Sequence, residues 1–319
     1  MNGGGTRVSV VIPTYNRADF LLETLASVFS QTVAPYEILV VDDGSTDATP
    51  DLVTAWTDRL LYVRQENKGV AAARNLGLHL SRGDWVAYLD SDDLWTPDKI
   101  ERDRDAHERH PEAKVLYGGS RRFSRGRVGR PRIPPADGRR LLQELALRNS
   151  LSVGGVTVRR EALLEISGFI EDVTLGPSAD WELWIRLASR YEFAYTGSAT
   201  LLIREHPDNM MHDPARMEAA MSLAVERFLA DPIAGPRLAG VAERIRSRAN
   251  LFAAIGYYGC GDTEAARRRL EWARERDPFV VYEPMWIYTS ARSLLGDRWS
   301  SRLRRLKHSI AEHVIARAR

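Results

Sequence analysis

Four short apolar runs, three of them followed by a helical pattern, occupy the first ninety residues, and this alternation constrains the fold more than any other feature of the chain. Val8 to Ile12, Glu37 to Val41, Leu60 to Arg64 and Trp85 to Leu89 read as strands. Arg17 to Ser30, Thr49 to Thr57 and Val70 to Ser81 read as the helices between them, the first with Phe20, Leu21, Leu25 and Val28 on one face. Strands alternating with helices predict a mostly parallel α/β sheet covered by helices on both faces, of Rossmann-like type. Ligands of such sheets bind beyond the carboxyl ends of the strands, so the residues that follow each strand are the candidate site.

The fourth strand ends in Asp90-Ser91-Asp92-Asp93. Three carboxylates in four residues repel one another, and a divalent cation such as Mn²⁺ or Mg²⁺ would relieve that repulsion. An acidic turn capping the helix after Pro97 is the plain alternative. The first strand runs into Pro13-Thr14-Tyr15-Asn16-Arg17, where Tyr15 could stack on a nucleobase or simply pack before the helix. The second ends in Asp42-Asp43-Gly44-Ser45, whose carboxylates could accept from a base or a ribose while Ser45 or Asp47 caps the next helix. Asn67-Lys68-Gly69 leads into Ala71-Ala72-Ala73-Arg74-Asn75, small residues that permit close backbone approach beside an arginine fork suited to phosphate.

Four signals at successive strand ends, in this order and spacing, resemble the family 2 glycosyltransferases over about residues 6–205. That resemblance implies a GT-A fold, a nucleotide-diphosphate-sugar donor, Mn²⁺ or Mg²⁺, and inversion at the anomeric carbon. Carried over residue by residue, it places Pro13, Thr14, Tyr15, Asn16, Asp42, Asp43, Gly69, Arg74, Asp90 and Ser91 around the nucleotide-sugar, with Tyr15 and Asp43 on the base. It makes Asp92, the last residue of the D-x-D motif, the metal ligand, with Asp93 and His206 as further candidates. Asp180-Trp181-Glu182-Leu183-Trp184 resembles the segment that carries the family's catalytic base, with Ala179 where members usually have Glu. Asp180 is therefore the expected base and Glu182 the weaker one. Gly154, Gly155, Trp181 and Glu182 are expected on the acceptor side.

The rest of the chain is less specific. Residues 120–140 hold eight arginines, one acid and three prolines, which reads as a long basic loop, either a lid meeting phosphates or an anionic acceptor, or a solvated loop. A short strand at Val156, a helix from Arg160 to Ile166, an amphipathic helix from Asp180 to Arg190 and a strand within Phe193 to Arg204 follow. A boundary near residue 212 divides a catalytic domain, 1–212, from a helical appendage, 213–319. Gly256 to Pro278 resembles one tetratricopeptide-type hairpin, too few for a solenoid. Arg298 to Arg319 reads as a basic amphipathic helix that either packs on the protein or lies on an anionic membrane surface.

The net charge of +2 gives no case for nucleic-acid binding. The single cysteine, Cys260, cannot form an intrachain disulfide, which suggests a reducing compartment. The N-terminus has no signal-peptide pattern, and no apolar run reaches the roughly 20 residues of a membrane span. A cytoplasmic enzyme is expected, with peripheral contact at the inner face of the membrane if the basic helix binds lipid. It would move a sugar, from UDP as the commonest carrier or from GDP or dTDP, to a glycan or lipid-linked acceptor in cell-surface polysaccharide synthesis. Two rivals are a catalytically silent nucleotide-sugar binder or scaffold and a sugar nucleotidyltransferase. The latter expects a glycine-rich phosphate loop where Pro13-Thr14-Tyr15-Asn16 stands.

Overall fold

The computed structural model describes residues 6–124, 126–135, 140–206 and 213–295. One nine-stranded sheet organises the first two thirds. Strands β1 (Val8–Thr14), β2 (Glu37–Asp42), β3 (Leu61–Arg64) and β4 (Trp85–Tyr88) lie parallel in the order β3-β2-β1-β4. Helices α1 (Ala18–Phe29), α2 (Thr49–Thr54) and α3 (Val70–Leu80) connect them. The order reverses between β1 and β4, so the crevice of an open α/β sheet opens there.

The sheet as a whole is mixed. A two-residue strand β5 (Leu94–Trp95) and helix α4 (Lys99–Arg109) lead to the long strand β6 (Val115–Ser124) and its short hairpin partner β7 (Arg127–Val128). Helix α5 (Leu141–Leu147) and a 3-10 turn at Val153–Gly155 precede β8 (Val156–Arg159), which runs antiparallel to both β4 and β6. Helices α6 (Arg160–Glu165) and α7 (Ala179–Ala188) then lead to β9 (Phe193–Arg204), parallel to β6 and antiparallel to β5.

Alternation along β1 separates the two cores, because successive strand residues face opposite sides. Val8, Val10 and Ile12 join Leu21, Leu25, Val28, Ile100 and Ala106 on the α1/α4 face. Val11 joins Ala73, Leu78, Trp184 and Leu187 on the α3/α7 face. Gly77 lets α3 sit close, since a Cβ there would lie 2.3 Å from Val11 Cγ1.

One expectation is corrected and one is refined. The stretch from Ser120 is not a loop throughout: β6 continues to Ser124, pairs with β9 through Phe123, and turns back at Arg127–Val128. Neighbouring strands supply the backbone partners that its polar side chains do not advertise. Arg125 and 136–139 lie outside the described residues. Helix α7 keeps the amphipathic pattern of its sequence but presents no solvent face, being buried nearly all round between the sheet and α8 (Pro214–Ala230), with Trp181 edge-on to Phe228.

After residue 212 every described element is helical: α8, α9 (Ala234–Leu238), α10 (Ala242–Gly259), α11 (Thr263–Arg276) and α12 (Pro284–Leu295), with 3-10 turns at Ala239–Val241 and Pro278–Tyr282. Helices α10 and α11 form a hairpin around Leu251, Ala254, Leu270 and Ala273. Ala224, Val225, Phe228, Ile245 and Ala249 belong instead to the cluster that contains the sheet, so the helical region is packed onto it. The expected boundary at 212 and the basic segment 298–319 lie outside the described residues. Among the described residues no helix is long and apolar enough to cross a membrane.

Candidate active site

A cleft of about 650 Å³ opens at the carboxyl ends of β1, β2 and β4, at the reversal of strand order. Pro13, Thr14, Tyr15, Asn16, Asp43, Gly69, Arg74, Asp90, Ser91 and Asp92 all line it. Ten of the expected site residues thus share one wall.

The β1 and β2 loops are lashed together through Asn16. Its φ of 50° is a left-handed conformation that asparagine tolerates. Its Oδ1 accepts from Thr46 N (2.7 Å) and Asp47 N (3.3 Å), and its own N–H donates to Ser45 Oγ (2.9 Å). Tyr15 beside it is 44% exposed, a free ring at the cleft edge. Asp43 is 4% exposed and accepts from Gln65 Nε2 (2.7 Å), Lys68 N (2.9 Å) and Gly69 N (2.8 Å). It shapes the backbone entering α3, where Gly69 has φ 91°. Arg74 donates to Asp90 Oδ1 (2.6 Å) and stacks over Phe169, so its guanidinium is fixed before any ligand arrives.

The acidic turn divides its labour. Thr24 Oγ1 donates to the carbonyls of Ser91 (3.0 Å) and Asp93 (2.8 Å) and fixes the backbone. Asp92 turns its carboxylate to the cleft, with Oδ2 3.0 Å from His206 Nε2 and 3.4 Å from Arg17 Nε. Asp93 turns away and accepts from Arg204 N (2.9 Å). Burial, and then the charges of Asp90 and Asp92, push its carboxyl well above the usual range.

Among the described residues no three His, Cys, Asp or Glu side chains form a ready-made metal cage. The pair Asp92 and His206 nevertheless fits a cation that is completed by substrate phosphate, since one or two protein ligands suffice there. Asp93, engaged with the β9 backbone, does not fit that role.

Asp180 does not line the cleft itself. It stands near Arg74 and Asp90 at the start of α7, hemmed in by protein yet partly accessible. Its Oδ1 accepts from Asn149 Nδ2 (3.2 Å) and Trp181 N (2.6 Å). Burial pushes its carboxyl up to about 6, and the nearby charge of Arg74 keeps it from rising further. A carboxylate that titrates near neutrality is suited to taking a proton.

Five expected residues sit elsewhere for physical reasons. Asp42 is fully buried and accepts from Tyr62 OH (2.6 Å) and Ser45 N (2.8 Å), so it braces β2 against β3. Glu182 points the other way from Asp180 and grips Arg186 with both oxygens (2.7 and 2.9 Å); Arg186 in turn donates to the carbonyls of Ile166 and Gly168. Trp181 is buried and donates to Leu145 O (2.7 Å). Gly154 and Gly155 are buried in the 3-10 turn before β8, packed against the sheet, where a Cβ on Gly154 would lie 2.7 Å from Leu201 Cδ1 and one on Gly155 3.2 Å from Gly118 O.

The cleft also contains residues the sequence did not single out. Glu171, Asp172 and Val173 come from the loop that Asn75 pins through Phe169 O and Glu171 Oε1 (both 2.8 Å). Arg216, in the first turn of α8, reaches it from the helical region. The acid pair at 171–172 was a local signal; Arg216 had none.

The sequence model "Glycosyl transferase family 2" matches residues 9–166. The Bacillus subtilis putative teichuronic acid biosynthesis glycosyltransferase TuaG is 42% identical over 99 residues, 30% of this chain and 39% of that protein. Staphylococcus aureus TarS 1–349, solved with UDP-GlcNAc, superposes with a TM-score of 0.67 at 18% identity, covering 94% of this chain and 92% of that one. The Pyrobaculum calidifontis mannosyltransferase PcManGT, solved with GDP-Man and Mn²⁺, gives a TM-score of 0.57 at 21% identity over 90% and 87%. The curated relatives match over about a third of this chain and over 14–39% of their own lengths. The matched segment holds Tyr15, Asp43, Arg74 and the acidic turn, whereas Asp180 and His206 lie beyond it. With these motifs gathered at one cleft of a GT-A fold, the chain belongs to the family 2 glycosyltransferases.

Proposed function

We infer that the protein is an inverting glycosyltransferase that takes a sugar from a nucleotide-diphosphate-sugar, with UDP as the carrier, to a hydroxyl of a glycan or lipid-linked acceptor. The observation that carries this reading is the shared geometry of Tyr15, Asp43, Arg74 and Asp92 in one cleft with Asp180 behind it. The UDP-GlcNAc complex of TarS and the name of TuaG support the choice of donor and a role in surface polysaccharide synthesis.

In this reading Tyr15 stacks on the base and the Asp43-braced turn at Gly69 admits the backbone close to the nucleotide. Arg74, held by Asp90, faces the diphosphate with its planar fork. Asp92 and His206 would hold Mn²⁺ or Mg²⁺ there. When bound, the cation neutralises charge on the departing diphosphate. The acceptor hydroxyl attacks the anomeric carbon from the face opposite the nucleotide, so configuration inverts. Asp180 takes the hydroxyl proton as the new carbon–oxygen bond forms and the bond to the nucleotide breaks.

Nucleotide release from a panel of UDP-, GDP- and dTDP-sugars, with and without Mn²⁺, tests the reading. Metal-dependent release with one carrier, abolished in Asp180→Asn, is expected. Nucleotide binding without turnover of any donor in the presence of acceptor glycans would make the protein a silent binder.

A further inference from the structure

Arg17 closes the turn after β1, lines the cleft, and is left without a role by the donor site as described. Its backbone N–H donates to Thr49 Oγ1 of α2 (3.1 Å), which fixes where the side chain starts. Its Nη1 donates to Asn16 O (3.1 Å), and its Nε lies 3.4 Å from Asp92 Oδ2. The guanidinium therefore bridges the β1 turn and the acidic turn after β4, and it sets a positive charge on the carboxylate oxygen that a divalent cation would use.

That oxygen is shared. His206 Nε2 lies 3.0 Å from it. The two neighbours differ in freedom. The His206 side chain is 7% exposed, and its ring lies against Phe20 of α1 with centroids 4.9 Å apart. The Arg17 side chain is 27% exposed and belongs to the cleft wall. A ligand that enters through the cleft can move the arginine, while packing holds the histidine in place.

Charge decides what that ligand must be. A divalent cation on Asp92 Oδ2 would stand close to the guanidinium, and two positive charges at such range repel. A diphosphate beside the cation reverses the sign. It offers the planar fork of arginine a pair of oxygens, and it supplies the cation with the ligands that the protein does not. Arg17 thus opposes a cation that comes alone and favours one that comes with a diphosphate.

We propose that Arg17 couples the two ligands: it competes with the divalent cation for Asp92, and it turns to the diphosphate when cation and nucleotide bind together. This assignment rests on the glycosyltransferase reading and gives its donor site a further diphosphate-binding residue. The coupling is reciprocal, so UDP tightens the cation by the factor with which the cation tightens UDP.

Titration of the full chain with Mn²⁺, reading free Mn²⁺ by its electron paramagnetic resonance signal, tests this without turnover. UDP also binds Mn²⁺ in solution, so variant and wild type are compared at equal UDP. The wild type is expected to bind Mn²⁺ weakly alone and much more tightly with UDP. Arg17→Gln should move the two values in opposite directions. Mn²⁺ alone should bind about threefold or more tightly, since a repelling charge is gone. Mn²⁺ with UDP should bind about tenfold more weakly, since a charged hydrogen bond to phosphate is lost. The fold tolerates this change, because Arg17 is partly exposed and its side chain makes no helix cap. Arg104→Gln on α4 removes the same charge elsewhere and should leave both values unchanged. With UDP binding intact in the wild type, two values that move together, two that do not move, or an equal response in the α4 control would each overturn the proposal and leave the donor reading standing. UDP that fails to bind the wild type with or without Mn²⁺ defeats the donor reading itself, and the proposal falls with it.

Discussion

Replacing Asp180 by asparagine should cost activity and raise stability, and the two effects have separate pH signatures. The folded state holds the Asp180 carboxyl up to about 6, from an ordinary value of 3.8. Two units at about 1.4 kcal/mol each correspond to about 3 kcal/mol. The sign follows from proton linkage. Between about pH 4 and pH 6 the folded protein binds this proton and the unfolded chain has released it, so the group's contribution to stability falls as pH rises. Above pH 6 the ionised carboxylate opposes folding by the full amount; below pH 4 it is neutral in both states and contributes nothing. Asparagine keeps an oxygen for Asn149 Nδ2 and Trp181 N but carries no charge. Urea unfolding of both proteins from pH 4 to pH 8 reads the difference directly. Asp180→Asn should gain up to about 3 kcal/mol at pH 8, and the gain should vanish near pH 4. Loss of a general base should lower turnover by about 10²–10⁴-fold. A variant that is less stable at pH 8, or a difference that does not change with pH, would refute the picture of a buried carboxylate held ready to accept a proton.

Other perturbations separate catalysis from scaffolding. Glu182→Gln should cost about 3–5 kcal/mol in denaturant unfolding by leaving the Arg186 charge buried without its partner, while the pH profile of turnover keeps its shape. Lys99, buried between Asp103 and Thr157, should behave likewise: Lys99→Met should cost about 3–5 kcal/mol, and Lys99→Met with Asp103→Leu should recover most of it. Gly77→Ala drives a methyl into Val11 and should cost about 1–3 kcal/mol in the same measurement.

The strands β1, β2 and β4 were legible because each is a nearly continuous apolar run, which is what a strand buried on both faces requires, whereas β3 is a short, partly exposed edge strand that Leu60 to Val63 still marked. β9 was legible within the same bounds, Phe193–Arg204. β6 was not read at all, and its outer half hides best, since Arg121 and Arg122 signal solvent while their backbone pairs with Leu202 and Ile203, some eighty residues away. Helix α5 was missed because it is short and follows the arginine- and proline-rich stretch. At the site, motif spacing located the cleft but could not say where a side chain points. Asp92 and Asp93 are neighbours with the same chemistry, yet one faces the cleft and the other the β9 backbone. Asp42 and Asp43 divide in the same way, into a buried brace and a cleft wall. Arg216 arrives from a helix more than a hundred residues after the acidic turn, a placement set by the packing of α8 on the sheet cluster.

The central claim is that Asp92 joins a nucleotide diphosphate to a divalent cation in this cleft. Calorimetric titration of UDP into the protein, with and without Mn²⁺, for the wild type and for Asp92→Ala, tests it most directly. Tight binding that requires Mn²⁺ in the wild type and loses that requirement, along with most of its affinity, in Asp92→Ala is the predicted result. Equal UDP affinity in all four titrations would contradict it.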